Sequence, residues 1–307
     1  MADQETKWRD FYEQVWAMRS AFVRERIVAG ETNPYRIVKS LEARQRKFRL
    51  KGTSAGTAHW ERQPWPKEWG ETPAGVPAFR LTSSRGNMLR APFHCSDNLH
   101  NFLIDYLDET GPYDAVIELG CGYGRNILEI FYGGGPRDIA YFGGELTDSG
   151  VAIARELAGL EPRLDARFFH FDYLAPDLDA VPRFDRALVF TMHSIEQVKL
   201  IGPEVFDAIS RVAREVACIH FEPFGFQVAT LGPATEAHRK TMEKNSWNLN
   251  FVAALQEAAR RYPVKIDYMA TELFLPIDPH NPTSIAIWHS TATEGAAPSS
   301  APSGGGA

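Results

Sequence analysis

Three glycines at alternate positions, placed directly after an apolar run, constrain this chain more than any other feature. Residues 115–119 form the run, and Glu118 is its one charged member. The glycines are Gly120, Gly122 and Gly124. Residues 125–130 then have the spacing of a helix. Glycines let the backbone turn sharply and approach a ligand closely, so a strand, a glycine turn and a helix start indicate a nucleotide-type cofactor site.

Predicted helices and strands alternate from residue 96 onward. The parallel strands are predicted at 115–119, 139–144, 166–171, 186–191 and 217–222, with helices between them, one of them at 203–215. This alternation predicts an α/β fold with a right-handed, doubly wound sheet. Residues 264–275 and 284–290 are two further strands with a short proline-rich link, and strands so linked pair antiparallel if they pair directly. We therefore expect a mostly parallel seven-stranded sheet with a C-terminal antiparallel hairpin.

The glycine turn is not a dinucleotide fingerprint, because that motif would place its third glycine at position 125, where this chain has Arg125. Its E-x-G-x-G-x-G form resembles motif I of class I S-adenosylmethionine-dependent methyltransferases. The predicted sheet is also similar to the Rossmann-like sheet of that family, and the resemblance covers about residues 95–290. It implies S-adenosylmethionine (SAM) as the cofactor and methyl transfer as the activity.

The resemblance also implies roles for residues at the strand ends. Glu118 and the glycine loop would meet the methionine end of SAM, Glu145 would hold both ribose hydroxyls, and Asp172 would accept a hydrogen bond from the adenine amine beside Tyr173. The segment after the fourth strand would lie beneath the methyl group. The predicted cofactor-binding residues are Glu118, Gly120, Cys121, Gly122, Gly124, Glu145, Leu146, Asp172, Tyr173, Thr191 and Met192.

His193 is the predicted catalytic base, because it follows the fourth strand and imidazole titrates near neutral pH. Packing on the adenosine is the alternative role for His193. The substrate-contacting candidates are Glu196, Glu222, Trp247, Asn248 and His280. Asn248 belongs to an asparagine cluster inside a predicted helical stretch at 237–261, which indicates either a polar pocket wall or ordinary helix capping.

Other ligand classes are disfavoured. The nine histidines show no H-x-H, H-x-x-x-H or paired-acid spacing, so no metal is expected. A net charge of −6 disfavours nucleic-acid binding by bulk electrostatics. Residues 34–50 form a predicted basic helix followed by Trp60, Trp65 and Trp69. We interpret this as a solvated helix face beside a packed, irregular tryptophan loop rather than as an RNA-binding stripe. The sequence Thr-Met-His-Ser at 191–194 also lacks the Asn/Asp-Pro-Pro-aromatic motif of exocyclic-amine methyltransferases of nucleic acids.

The predicted organisation has a helical lid extension at 1–92, a methyltransferase domain at 93–290 with a substrate-shaping insertion at 223–262, and a disordered tail at 291–307. No run approaches the length of a membrane helix, and the three cysteines form no C-x-x-C pair, so we expect a cytoplasmic protein without membrane contact. Aromatic residues at helical spacing in 7–29 predict an amphipathic helix. This helix packs either on the core of its own chain or on a second subunit, so a homodimer is one possible assembly.

The most specific function that the resemblance implies is methyl transfer to an oxygen or nitrogen of a small-molecule metabolite or natural product. Two alternatives stay open. The long N-terminal extension and its basic helix are compatible with a peptide or protein substrate. The second alternative is a non-catalytic scaffold protein that binds SAM and keeps the fold but transfers no methyl group.

Overall fold

The computed structural model describes residues 2–52, 58–62, 79–84, 87–92, 98–228, 233–274 and 282–291. Two helices begin the chain, α1 (Ala2–Val28) and α2 (Pro34–Lys47). Two antiparallel strand pairs follow, β1 (Phe48–Gly52) with β2 (Ala58–Arg62) and β3 (Phe79–Ser84) with β4 (Asn87–Pro92), and then helix α3 (Asn98–Thr110).

The N-terminal helices of the predicted extension are confirmed, but strands follow them. The helix predicted for 34–50 ends at Lys47, because the next residues form strand β1 and pair with β2. Trp60 lies within β2 instead of in an irregular loop. Trp65 and Trp69, and the tail at 292–307, lie outside the described residues.

A seven-stranded sheet forms the centre of the described chain. Its strands are β5 (Ala115–Leu119), β6 (Ala140–Glu145), β7 (Ala166–His170), β8 (Phe184–Met192), β9 (Ala213–Glu222), β10 (Lys265–Phe274) and β11 (Thr283–Thr291). The strand order is β10-β11-β9-β8-β5-β6-β7. Neighbours from β7 to β9 pair in parallel, whereas β11 is antiparallel to both β9 and β10. The predicted fold class is confirmed, including the closing antiparallel hairpin.

Helices cover both faces of this sheet. They are α4 (Arg125–Gly133), α5 (Asp148–Ala158), α6 (Glu204–Ser210), α7 (Gly225–Val228), α8 (Pro233–Asn245) and α9 (Phe251–Arg261). Every residue of β5 is buried, so this strand separates the two hydrophobic clusters of the core. The helix predicted for 203–215 is shorter in the structure, because β9 begins at Ala213 and pairs there with β8.

The order in which strands join the sheet reverses at β5. Strands β6 and β7 extend the sheet on one side of β5, whereas β8 and β9 extend it on the other. Ligands of open α/β sheets bind at the carboxyl ends of the strands beside such a switch point. The fold therefore locates the expected site at the ends of β5, β6 and β8. In the described part of the chain, no helix combines the length and apolar character that crossing a membrane requires.

Candidate functional site

A cavity of about 610 Å³ lies at the switch point. Its walls come from the loop after β5, the segments after β6, β7 and β8, and helices α1 and α3. The lining residues that matter below are Tyr12, Trp16, His100, Gly120, Gly122, Asn126, Glu145, Asp172, Tyr173, Met192, His193, Ser194, Glu196 and Gln197. The predicted residues Cys121 and Leu146 also line it, whereas Gly124 is not among the lining residues.

The glycine loop packs so closely against the segment after β8 that a side chain would not fit. Gly120 has φ +78°, and a Cβ added there would lie 2.2 Å from Cβ of Ser194. The amides of Gly120 and Cys121 both donate to the carbonyl of Gly144, at 2.8 and 2.9 Å. The loop is therefore held against β6 with its backbone exposed to the cavity, as close approach to a ligand requires.

Glu145 connects the end of β6 to the glycine loop. Its Oε2 accepts a hydrogen bond from the Gly122 amide at 3.0 Å, and its Oε1 accepts from the amide and hydroxyl of Thr147 at 3.1 and 2.8 Å. Burial raises the pKa of this carboxyl. Glu145 lines the cavity, and its Oε2, which accepts only the Gly122 amide among these bonds, keeps a lone pair for a ligand.

Glu118 lies behind the cavity wall and is fully buried. Asn126 donates to its Oε1 at 2.5 Å, and the other carboxylate oxygen has no hydrogen-bond partner among the described residues. Burial raises the pKa of Glu118 to about 8. Asn126 in turn contacts His100 at 2.8 Å, and both of these residues line the cavity. Sequence reasoning missed Asn126 and His100, although Asn126 lies on the predicted helix that follows the glycines.

Asp172 and Tyr173 follow β7, and both line the cavity. Asp172 pairs with Arg9 of α1 at 3.2 Å. Tyr173 is buried, and its hydroxyl donates to the carbonyl of Leu119 at 2.8 Å and contacts Oγ of Ser194 at 2.8 Å. Tyr173 therefore fastens the end of β5 to the segment after β8, in addition to forming part of the wall.

His193 lies at the start of a tight turn with its ring held on both sides. Its φ is +52°, a left-handed backbone conformation that non-glycine residues rarely adopt. Nδ1 lies 3.2 Å from Oε2 of Glu196, and Nε2 lies 2.7 Å from Oγ1 of Thr283. Burial lowers the pKa of His193 and the Glu196 carboxylate raises it, and the pKa as a whole is raised. Because a carboxylate accepts a hydrogen bond at Nδ1, the neutral His193 ring carries its proton on Nδ1 and has a lone pair on Nε2.

Besides Glu118 and Gly124, four predicted site residues in the described part of the chain do not line the cavity. Thr191 is fully buried and contacts Nδ1 of His220 at 3.0 Å, so its side chain does not reach a cofactor. Glu222 is buried beneath the turn that carries His193, where it accepts hydrogen bonds from backbone amides. Trp247 is not among the cavity-lining residues, and neither is Asn248. His280 lies outside the described residues.

Asn248 caps a helix instead of forming a pocket wall. Its Oδ1 accepts from the amides of Asn250 and Phe251, at 3.1 and 2.8 Å, and its Nδ2 donates to the carbonyl of Val198 at 2.8 Å. The predicted single helical stretch is thereby divided into α8 and α9. The capping alternative explains this asparagine, because no part of its amide is left for a ligand.

Helix α1 covers the cavity and contacts the segment after β8, the start of α5 and the glycine loop. The sequence did not predict these contacts. The Tyr12 hydroxyl donates to Oε1 of Gln197 at 3.0 Å. The Glu13 carboxylate accepts from the Asp148 and Ser149 amides at 2.7 and 3.1 Å, which caps the N-terminus of α5. The ring of Trp16 packs over Gly122, and a Cβ added to this glycine would lie 2.9 Å from it. The aromatic pattern of residues 7–29 was the one signal for this helix.

We expect Glu13→Ala to loosen α1 from the cofactor loops. The two amides at the start of α5 lose their acceptor, which should lower the free energy of unfolding by about 1 kcal/mol. Hydrogen–deuterium exchange should increase in α1 and at the start of α5. Glu25→Ala is the matched control, since Glu25 is exposed on the same helix. Unchanged exchange in the Glu13 variant would show that this cap does not hold α1.

The basic side chains of α2 are partly used within the protein. Lys39 pairs with Glu129 at 2.5 Å and with Glu42 at 3.4 Å. Arg44 lies 5.6 Å from the Trp60 ring centre. Neither residue is part of a freely solvated basic stripe, so the predicted solvated face does not describe these two side chains. Among the described residues, no group of His, Cys, Asp and Glu is arranged to hold a metal ion.

The strand order and the reversed strand β11 agree with the sheet that the resemblance to class I methyltransferases implies. No protein-family model and no curated protein sequence matches this chain. Among solved structures, it is similar to magnesium protoporphyrin IX methyltransferase from Synechocystis PCC 6803 with bound S-adenosylhomocysteine (SAH), at 14% identity and a TM-score of 0.43, over 63% of this chain and 82% of that one.

A second similar structure is the geranyl diphosphate C-methyltransferase from Streptomyces coelicolor in complex with Mg²⁺, geranyl diphosphate and SAH. The identity is 13% and the TM-score 0.41, over 63% of this chain and 76% of that one. Both likenesses are too distant to indicate a substrate.

Proposed function

We propose that this protein is a SAM-dependent methyltransferase that transfers a methyl group to an oxygen or nitrogen of a small molecule. One observation carries the proposal. The glycine loop, the Glu145 carboxylate and the His193–Glu196 pair all line one cavity at the carboxyl ends of the parallel strands. This arrangement combines a close-approach loop, an acceptor of hydroxyl hydrogen bonds and a group that can take up a proton.

The residues at this cavity fit SAM. Gly120 and Gly122 line the cavity and present backbone without a side chain, so a ligand can approach the loop closely. Behind the wall, one oxygen of Glu118 has no hydrogen-bond partner among the described residues, and a bound cationic group nearby would favour its charged form. Glu145 suits a hydroxyl at its Oε2, because that oxygen accepts one hydrogen bond from the loop whereas Oε1 already accepts two from Thr147. When bound, SAM supplies a methyl group on a positively charged sulfur that is open to in-line attack.

The protein's part in the reaction is positioning and proton uptake. Aligned reactants can gain about 7–11 kcal/mol over reactants that must meet in solution. The lone pair on Nε2 of His193 is the position at which the proton of an acceptor O–H or N–H would be taken up, a site now shared with the Thr283 hydroxyl. The Glu196 carboxylate at Nδ1 would balance the positive charge of the imidazolium. General-base action of this kind contributes about 10²–10⁴-fold in rate.

The size and cover of the cavity favour a small-molecule substrate. Pockets for small ligands commonly enclose about 300–1,000 Å³. This cavity has about 610 Å³ and is covered by Tyr12 and Trp16 of α1. A folded protein or a nucleic-acid duplex would require α1 to leave its contacts with Gln197 and α5. Screening with methyl-labelled SAM against alcohols, phenols and amines tests the proposal, and label found only in peptides or RNA would overturn the small-molecule assignment.

We expect Glu145→Ala to weaken SAH binding. Hydrogen bonds to a charged group are worth about 1.5–3 kcal/mol, so the dissociation constant should rise by about 10- to 100-fold. Asp148→Ala is the matched control, because Asp148 is the other acid near this strand end and its side chain is exposed. Calorimetric titration of both variants with SAH measures the difference. A larger loss of affinity in the Asp148 variant would show that Asp148, and not Glu145, contacts the ribose.

A further inference from the structure

We propose that Glu222 is a positioning residue for His193, a role that rests on the function proposed above. Glu222 is the last residue of β9 and is 2% exposed. It is not among the residues that line the cavity, so it does not contact a ligand there. It acts by holding the turn from His193 to Glu196 in one conformation.

Three consecutive backbone amides of this turn donate to the Glu222 carboxylate. Ser194 and Ile195 donate to Oε1 at 3.1 and 3.2 Å, and Glu196 donates to Oε2 at 3.2 Å. The preceding amide, that of His193, donates to the carbonyl of Phe221 at 2.9 Å. Two adjacent residues at the end of β9 therefore satisfy four successive donors, and both oxygens of the carboxylate are required.

The turn needs such support because of its backbone. His193 has φ +52°, and conformations of this kind persist where the surrounding contacts determine them. The same turn sets the pairing of His193 with Glu196, since these residues lie at its two ends. If the amides were released, the backbone at His193 would be free to return to a right-handed or extended conformation. Nε2 would then leave the position that the structure gives it.

A buried chain of hydrogen bonds runs from Trp288 through His220 to Thr191, on the strand next to Glu222. Trp288 donates its indole N–H to Nε2 of His220 at 2.9 Å. Because an indole nitrogen is a donor only, Nδ1 of His220 carries the proton and donates to Oγ1 of Thr191 at 3.0 Å. Burial raises the pKa of the Glu222 carboxyl to about 7, and the Thr191 hydroxyl opposes this by favouring the charged form. Burial lowers the pKa of His220 to about 3, so this imidazole stays neutral and the direction of the chain is fixed.

The test compares Glu222→Gln with Glu222→Asp in the full-length protein. Gln keeps one acceptor oxygen but turns a carboxamide NH2 donor toward the Glu196 amide, and Asp keeps the charge but is one methylene too short for the turn. The charged groups that face His193 among the described residues are Glu196 on its own turn and Glu222 on β9, and β11 contributes the uncharged Thr283. A purely electrostatic role would therefore be lost in the Gln variant and kept in the Asp variant.

Two readouts separate the outcomes. Histidine-labelled protein gives the pKa of His193 by NMR without any substrate, and we expect it to fall in both variants as the contact with Glu196 is lost. With an accepted substrate, we expect kcat to fall by about 10²-fold, the cost of a misplacement of about 1 Å, with little change in KM or in the SAH dissociation constant. A wild-type His193 pKa and wild-type kcat in the Asp variant would overturn the proposal.

Thr191→Val serves as the second variant if either Glu222 variant does not fold. It removes the hydroxyl behind Glu222 and keeps the carboxylate, so we expect a smaller change in the same direction. Thr191→Ser restores that hydroxyl and should rescue both readouts. Lack of any change in Thr191→Val would show that the buried chain does not support the turn. SAH titration of the wild type tests the proposed function separately, because it does not depend on His193.

Discussion

Gly120→Ala is expected to abolish measurable SAH binding. Gly120 has φ +78°, which costs an L-residue about 1–2 kcal/mol, and the added Cβ would lie 2.2 Å from Cβ of Ser194. Ser194 belongs to the turn that Glu222 holds, so the clash cannot be relieved without moving either the glycine loop or that turn. Both movements would alter the cavity. Calorimetric titration with SAH measures the loss, and thermal unfolding shows whether the sheet is still folded.

Gly134→Ala is the matched control for this substitution. Gly134 also has a positive φ, +109°, but no atom lies within 4 Å of a Cβ added there. It follows helix α4, and it is not among the cavity-lining residues. The control therefore has the backbone strain without the steric clash. Equal affinities in the two variants would contradict the assignment of the Gly120 loop to the cofactor.

His193→Asn is expected to lower kcat by about 10²–10⁴-fold, the range for loss of a general base. Asparagine tolerates the left-handed backbone better than most residues, so this change removes the imidazole with little additional strain. The SAH dissociation constant should change much less than kcat. Comparison of the two constants measures this directly. A fall in SAH affinity with kcat unchanged would favour the alternative in which His193 only packs on the adenosine.

The pH dependence of the wild type and Glu196→Gln complements this substitution. The base is active only when it is deprotonated, and the Glu196 carboxylate raises the pKa of His193. Activity should therefore rise with pH through a raised apparent pKa. In Glu196→Gln the carboxylate is lost, and the acid limb of the profile should move to lower pH. An acid limb that does not move would separate the pH dependence from His193.

The sheet and the cofactor loop were predictable because their signals are local. An apolar strand with a glycine turn, and alternating helices and strands, restrict the topology strongly. The Glu145 prediction had a similar basis, since the ends of parallel strands meet at one edge of the sheet. The structure places Glu145 at the cavity, as expected, and adds its hydrogen bond to Gly122.

The errors concern the direction in which side chains point. Thr191 and Met192 are adjacent on β8, and successive side chains of a strand face opposite sides. Met192 therefore lines the cavity while Thr191 faces the buried His220. Glu222 was assigned to the substrate because it ends a strand, but its carboxylate points beneath the turn after β8. The sequence pattern indicates where a strand ends and does not indicate which neighbouring backbone amides will approach it.

The contacts of α1 could not be predicted for another reason. Amphipathic spacing shows which face of a helix is buried and gives no information about the surface that it covers. Tyr12 and Gln197 are 185 residues apart in the chain, and Glu13 and Asp148 are 135 apart. Such pairings depend on the whole fold.

Calorimetric titration of the full-length protein with SAH, with NAD in a parallel titration, tests the central claim most directly. SAH differs from SAM by the transferable methyl group and its charge, and it binds without reacting. We predict one SAH bound per chain and no binding of NAD. Binding of NAD, or the absence of SAH binding, would contradict the assignment of the cavity to SAM.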